Sequence, residues 1–339
     1  MTPVPNPLNP RARKQRIDDL AASSATGSRS GGVAVDDHVV DSAGHVEEGA
    51  GVSLIASAWR RLRRNPVFLL GLAISALFIL LAIFAPLIAP HDPAARLLID
   101  QVRPQSNPIP GPQAGFPLGA DNSGRDILSR LIVGSQQTLL VGVMATSFGF
   151  LGGLTLGTIA GAFGGWVDSV VMRLVDVMLS IPSLLLAVSI AALASQPSQW
   201  TVIIAIATVQ VPIFARLLRG SMLAQRASDH VLAARALGVK RSAIVFRHML
   251  PNALGPVIVQ ATLVLAGAII DAAALSFLGV GNPDDRKPEW GQMLGKAQPY
   301  IYDHLTLAAY PALCIIVVAL GFTLMGESLR EALDPKSRR

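Results

Sequence analysis

"SDHVLAARALGVKRSAIVFRHMLPN", Ser228 to Asn252, lies between two long apolar runs and carries Asp229, Arg235, Lys240, Arg241, Arg247 and, when protonated, His248. A connector between membrane spans needs only a short polar turn, yet this one is long, basic, alanine-rich and punctuated by Gly238 and Pro251. Its meaning depends on its flanks. The windows Val67–Ala89, Leu131–Val167, Val177–Ala215, Met249–Ile270 and Leu305–Gly326 contain no charged side chain. About 20 apolar residues suffice for a helix to cross a bilayer. The Val177–Ala215 window is long enough for two, with "SQPSQW" (Ser195–Trp200) as the turn. The sequence therefore predicts an all-α polytopic membrane protein with six transmembrane helices, at about 67–89, 138–163, 177–194, 200–217, 254–278 and 305–327.

Composition agrees. Of 339 residues, 51% are hydrophobic and 15% charged, where a soluble domain carries about 25% charged residues. Lys and Arg are distributed unevenly. With the N-terminus inside, the inner segments hold 21 of the 28 and the two large outer loops hold seven. The positive-inside rule then makes both termini and the 228–252 connector cytoplasmic. The net charge of +6 follows from this flanking pattern and implies no nucleic-acid partner. Cys314 lies in the last predicted span and is read as an apolar packing residue.

Residues 1–50 are rich in Ser, Gly, Pro and Ala without apolar periodicity, which predicts a disordered cytoplasmic tail. "RARKQR" (Arg11–Arg16) is followed by polar residues, so this is not expected to be a signal peptide. Residues 53–66, "SLIASAWRRLRRNP", predict an interfacial amphipathic helix that contacts membrane lipid through Trp59 and four arginines. Residues 328–339 form the cytoplasmic C-terminus.

In the second span, Gly149, Gly153, Gly157, Gly161 and Gly165 recur at every fourth position and form a ridge that lets another helix approach closely. A phosphate-binding glycine loop is the competing reading; it fails because no Lys-Ser or Lys-Thr follows. No metal-ligand cluster or nucleotide motif is present, and no catalytic residue, metal or cofactor is expected. Asp271 is the one acid well inside a predicted span. It is either a pathway or gate group, or a buried acid satisfied by a neighbouring helix.

Within the connector, Ser228 and Asp229 are suited to cap a helix over "VLAARAL", and Gly238 to stop it. Ser242 is suited to cap a second short helix, "AIVFRHML", which Pro251 ends or hands over to the fifth span. A basic docking platform is the expectation; an ordinary basic loop is the alternative.

The segment "AARALGVKRSAIVFRHMLP" resembles the "EAA" signature of permease subunits of ATP-binding-cassette importers. Ala233, Ala234 and Gly238 match, as do Leu250 and Pro251; Leu232 replaces the leading Glu and His248 the Ile. "RHMLPN", "PLGADNSGRDILSRLIVG" (Pro117–Gly134), "ALSFLGVG" (Ala274–Gly281), "PEWGQML" (Pro288–Leu294) and "LREALDP" (Leu329–Pro335) are similar to the dipeptide/oligopeptide/nickel branch, C-type subunit. The resemblance spans roughly Leu54 to Pro335 and implies a type I importer permease fold in the bacterial plasma membrane. It also implies a second non-identical permease subunit, two ATPase subunits that bind ATP and Mg, and an extracellular substrate-binding protein. By the same resemblance Asp229, Ala233, Ala234, Arg235, Gly238, Arg247, His248 and Pro251 form the ATPase-coupling segment, and the outer segments 90–137 and 280–304 contact the binding protein. The family often has Glu where this chain has Ala272. The expected cargo is a di- or oligopeptide. Nickel or another small solute is the alternative within the family, and an ATP-independent transporter or channel is the alternative outside it.

Overall fold

Polar caps set where the apolar runs become helices. In the computed structural model, which describes residues 59–333, Asn65 Oδ1 accepts from the amides of Val67 (2.9 Å) and Phe68 (3.4 Å) to start helix α1, Pro66–Ile88. Asp126 caps α2, Ile127–Phe163, by accepting from Leu128 N and Ser129 N. Helices α3 (Gly165–Ser180), α4 (Ser183–Ala192) and α5 (Gln199–Arg226) follow. The connector forms α6 (Asp229–Ala236), then α7 (Arg241–Ala243), which runs through a π-helical segment, Ile244–Met249, into α8 (Leu250–Phe277). Helices α9 (Trp290–Ala297) and α10 (Leu305–Leu333) complete the chain. No β-strand occurs among the described residues; the isolated bridges lie in the loop before α2. The expected tail 1–50, residues 53–58 of the interfacial segment and residues 334–339 lie outside the described residues.

Five helices are long and apolar enough to cross a membrane: α1, α2, α5, the continuous Arg241–Phe277 stretch, and α10. The third expected span, 177–194, is not one straight helix. Its residues are divided between α3 and α4, which meet at a 95° bend and make a sixth crossing only if counted together. The break falls at Ile181 (φ −90°, ψ 131°) and Pro182 (φ −52°, ψ 130°). Proline lacks the N–H that would continue the helix and forces the preceding residue into an extended conformation. Uncharged length alone suggests one straight span; the Ile181–Pro182 step inside it divides that length between two helices.

Helices α2 and α5 form the most extensive pairing in the bundle, and α8 and α10 close the other side. Four glycines explain the pairing. A Cβ added at Gly149 would stand 2.8 Å from Gln210 Cβ, at Gly153 2.3 Å from Phe214 Cβ, at Gly157 2.8 Å from Ala215 O, and at Gly161 2.9 Å from Met222 Cβ. All four meet α5, as the fourfold spacing requires. Gly165 does not belong to this row. It lies past the helix end at Gly164, has φ +58°, and an added Cβ there would meet nothing within 4 Å. The four-residue period continues in the sequence, but Gly164 (φ 65°) has already turned the backbone.

Overpacking a helix contact costs about 1–3 kcal/mol. Gly153→Val is therefore expected to lower the thermal unfolding temperature of the chain in detergent or nanodiscs. Gly267→Ala, in a helix position with nothing within 4 Å, is expected to leave it unchanged or higher. Equal melting of both variants would remove the close approach as the reason for the pairing.

Candidate functional site

The connector is built onto the bundle from beneath. Val231 and Ala234, three positions apart on α6, are buried together with Ile244, Val245 and Met249 against Phe214, Leu218, Met222 and Val257. The side chains between them point away: Leu232 is 48% exposed, Leu237 84% and Phe246 62%. Of the expected coupling residues, Asp229, Ala233, Arg235, Gly238, Arg247 and Pro251 are exposed, His248 is half-buried and Ala234 is buried. Gly238 has φ +73°, the left-handed conformation that closes α6. Arg241 fastens the platform to the far end of α2, donating to Ala162 O (2.6 Å) and Phe163 O (2.9 Å). These carbonyls belong to the last turn of a helix, where they lack intrahelical donors.

Two local expectations change and a third is resolved. The Ser228 hydroxyl occupies the N-cap position but donates back to Gln225 O (2.6 Å), so it does not cap α6. Ser242 is not a cap either; Lys240 holds that position without a side-chain bond. Of the two outcomes expected for Pro251, the structure shows the handover: the backbone continues through it from the π-helical segment into α8. Its ring removes the N–H that Arg247 O would otherwise receive. The turn before it widens to π geometry, with Leu250 N bonded to Val245 O.

Near the same end, two ion pairs join α3 to α5. Arg219 donates to both oxygens of Asp168 (2.9 and 2.6 Å), partly buried, and Arg216 pairs with Asp176 nearer the surface. Sequence separations of 51 and 40 residues carry no local signal of these pairs.

The other end of α2 holds a polar cluster. A 37-residue helix is about 55 Å long, so the two sites are a full bundle apart. Asp126 receives the Ser129 hydroxyl and contacts His91 Nδ1 (3.2 Å). Arg125 and Arg130 both pair with Asp121 and both donate to the backbone oxygen of Asp285 (3.2 and 3.0 Å). Lys296 pairs with the Asp285 carboxylate. Burial, then the nearness of Arg125 and Arg130, pushes the Lys296 ammonium down to about 8. Helix α9 is locked in place by Trp290. This residue is fully buried, donates its indole N–H to Leu131 O (2.9 Å) and meets Phe78 edge-on at 5.6 Å. Glu289 caps α9 by accepting from Gly291 N (3.0 Å) and Gln292 N (3.1 Å). Burial raises its carboxyl above the usual carboxylate range, against the opposing effect of bonds from Ser276, Gly291, Gln292 and Thr138. The quoted "GRDILSR" and "PEWGQML" stretches were the available signal for this cluster; nothing in the sequence showed that they meet.

Asp271 is half-buried on α8, and no hydrogen bond or ion pair to it is found among the described residues. Ala272, where the family often has Glu, is buried. The described residues contain no group of three or more His, Cys, Asp or Glu able to hold a metal.

Comparison with known proteins decides the family. Residues 153–339 match the model of the binding-protein-dependent transport system inner membrane component, and residues 53–108 that of the N-terminal TM domain of oligopeptide transport permease C. The chain belongs to this family of transport permeases. It is a multi-pass inner-membrane protein. It is 42% identical over 85% of its length to the dipeptide transport system permease protein DppC of Alkalihalophilus pseudofirmus, covering 91% of that protein. It is 41% identical over 82% of its length to the di/tripeptide transport system permease protein DppC of Pseudomonas aeruginosa, again covering 91%. It is 35% identical over 82% of its length to the glutathione transport system permease protein GsiD of Pectobacterium atrosepticum, covering 90%. A chain of the MetNI methionine ABC transporter, in an inward-facing conformation, shares its fold at TM-score 0.50 and 22% identity. That match covers 60% of this chain and 96% of the other.

Two measurements test the architecture of the permease. Arg219→Ala removes a two-bond charged contact worth about 1.5–3 kcal/mol and should lower the melting temperature. Exchanging the partners, Asp168→Arg with Arg219→Asp, should recover most of the loss; no recovery would deny the pairing. Glu289 holds its proton more tightly folded than unfolded. Its contribution to stability is therefore complete below the ordinary value of 4.5 and is lost as pH rises through the raised folded value. Melting followed from about pH 4 to about pH 8 should show that decline in the native chain and not in Glu289→Gln. Parallel curves would contradict the burial effect.

Proposed function

We propose that this chain is the C-type permease subunit of an ATP-driven importer of short peptides, forming half of the translocation pathway beside a second, non-identical permease subunit. The chain itself hydrolyses no ATP; two partner ATPase subunits bind ATP and Mg, and an extracellular binding protein delivers the cargo. Peptide cargo is favoured because the similar permeases serve dipeptides, di/tripeptides and glutathione. A permease for nickel is the weaker reading.

The observation that carries the coupling role is the construction of the 228–252 platform. It is anchored by buried Val231, Ala234, Ile244 and Val245, while Leu232, Leu237 and Phe246 are left exposed beside Arg235 and Arg247. Apolar side chains at the tip of a basic helical turn suit a protein cleft with acidic edges better than water. Both termini and this platform are assigned to the cytoplasm by the Lys and Arg distribution. ATP binding moves the platform, and Arg241 and the buried cluster beneath it pass that movement to α2, α5 and α8. The bundle then shifts between states for which the nucleotide-loaded ATPases have different affinity. Asp271, a half-buried acid inside α8, is assigned to the pathway or gate.

A Cβ added at Gly238 would meet nothing within 4 Å, yet the residue has φ +73°. Gly238→Val should therefore distort the platform, at about 1–2 kcal/mol locally, without disturbing the bundle. ATP-driven dipeptide uptake is expected to fall several-fold with normal amounts of inserted chain, and less ATPase should co-purify. Unaltered uptake in this variant and in Arg235→Glu, with no ATPase in the purified preparation, would sink the coupling role.

A further inference from the structure

Beside the polar cluster at the α9 end of the bundle lies an open cleft of about 410 Å³. Its wall includes Ser276, Asn282, Asp285, Gln292 and Lys296, with Gly279, Gly281 and Gly295 exposing backbone between them. That volume lies within the range of small-molecule sites, about 300–1,000 Å³.

Three features of the wall point to a ligand. The first is charge. Among the described residues, Arg125, Arg130 and Lys296 pair with two carboxylates, Asp121 and Asp285. Three cations thus share two anions among the described residues. Lys296, on the cleft wall, is the member nearest solvent, since the side chains of Arg125 and Arg130 are 3% and 1% exposed and that of Lys296 is 36%. A carboxylate is the group that the network lacks. The second is an unused acceptor. Gln292 Nε2 donates to Asn282 O (2.7 Å), but Gln292 Oε1 is buried without a partner. An amide N–H is the natural donor to it, because a buried acceptor without one is costly. The third is rigidity. Arg125 and Arg130 fix the backbone of Asp285, while Glu289 fixes the amide of Gln292. Gly281 stands where a Cβ would come 2.5 Å from Ser276 Oγ, and Gly295 where one would come 3.0 Å from Phe277 O. The walls are therefore set before any ligand arrives, which lowers the ordering cost of binding.

We propose that this cleft binds the C-terminal end of a short peptide, with Lys296 holding the carboxylate and Gln292 accepting a peptide N–H. The assignment rests on the peptide-import reading above and adds a binding site on the permease itself. An ammonium ion or a metal would bring more positive charge to a network already in excess, so neither is the occupant.

The test is calorimetric titration of the full-length chain in lipid nanodiscs with L-alanyl-L-alanine and with its C-terminal amide. Saturable binding of the dipeptide is expected, with the amide bound about tenfold more weakly, the cost of losing a hydrogen bond to a charged group. Lys296→Met should abolish the difference between the two ligands, Lys296→Arg should keep it, and Gln292→Leu should weaken both. The comparison of ligands on the native chain does not depend on any variant folding. No saturable binding, equal binding of acid and amide, or acetate competing as well as the dipeptide would each overturn the site. ATP-driven dipeptide uptake by the assembled transporter is measured separately. Uptake without binding to the chain removes the cleft and leaves the import reading. Carboxylate-dependent binding without uptake retains the cleft and removes that reading.

Discussion

The contact on which the rest of the molecule depends is the approach of α2 to α5 along Gly149, Gly153, Gly157 and Gly161. A side chain at any of these positions would collide with α5 at 2.9 Å or less. Between apolar helices in a lipid environment no hydrophobic driving force distinguishes helix from lipid, so association relies on close packing. Glycine supplies it by removing the Cβ. The same row fixes the position of Phe214, Leu218 and Met222, on which the 228–252 platform is built. Moving α5 away from α2 would take the floor from under the platform.

Helix α2 then serves as a strut between two polar assemblies. At one end Arg241 caps its last carbonyls, and at the other Asp126 caps its first amides while Leu131 O receives the Trp290 indole. Its last carbonyls are met by Arg241, distant in sequence, and its first amides by the adjacent Asp126, so fraying at either end breaks a polar contact. The bent α3–α4 pair is tied differently, by Asp168–Arg219 and Asp176–Arg216. Ion pairs can exchange partners more readily than a close-packed glycine seam.

Much of this was legible in the chain. Uncharged length gave the helical membrane class, and the fourfold glycine period gave a packing ridge. The alanines and glycine of the connector gave a compact helical platform. The reading failed where local rules competed. Gly165 continued the period after the backbone had already turned at Gly164, and the 177–194 window was apolar throughout yet broken by Pro182. Ser242 has the side chain of a cap, but the helix starts one residue before it, with Lys240 in the cap position. Asp271 was visible as an intramembrane acid, but its surroundings were not.

The sequence by itself determined which segments are apolar enough to cross a membrane, where glycine permits close approach and where charge gathers, because these are properties of neighbours in the chain. Only the tertiary structure decided which helix the glycines meet and which carbonyls Arg241 caps. It also decided that "GRDILSR" and "PEWGQML" converge on one cluster. Such contacts join residues as far apart in the chain as Arg241 and Ala162, 79 positions, or Trp290 and Leu131, 159 positions. Hydrogen bonds and packing act over ångströms in space, and no periodicity along a chain encodes which distant residues will be brought within that reach.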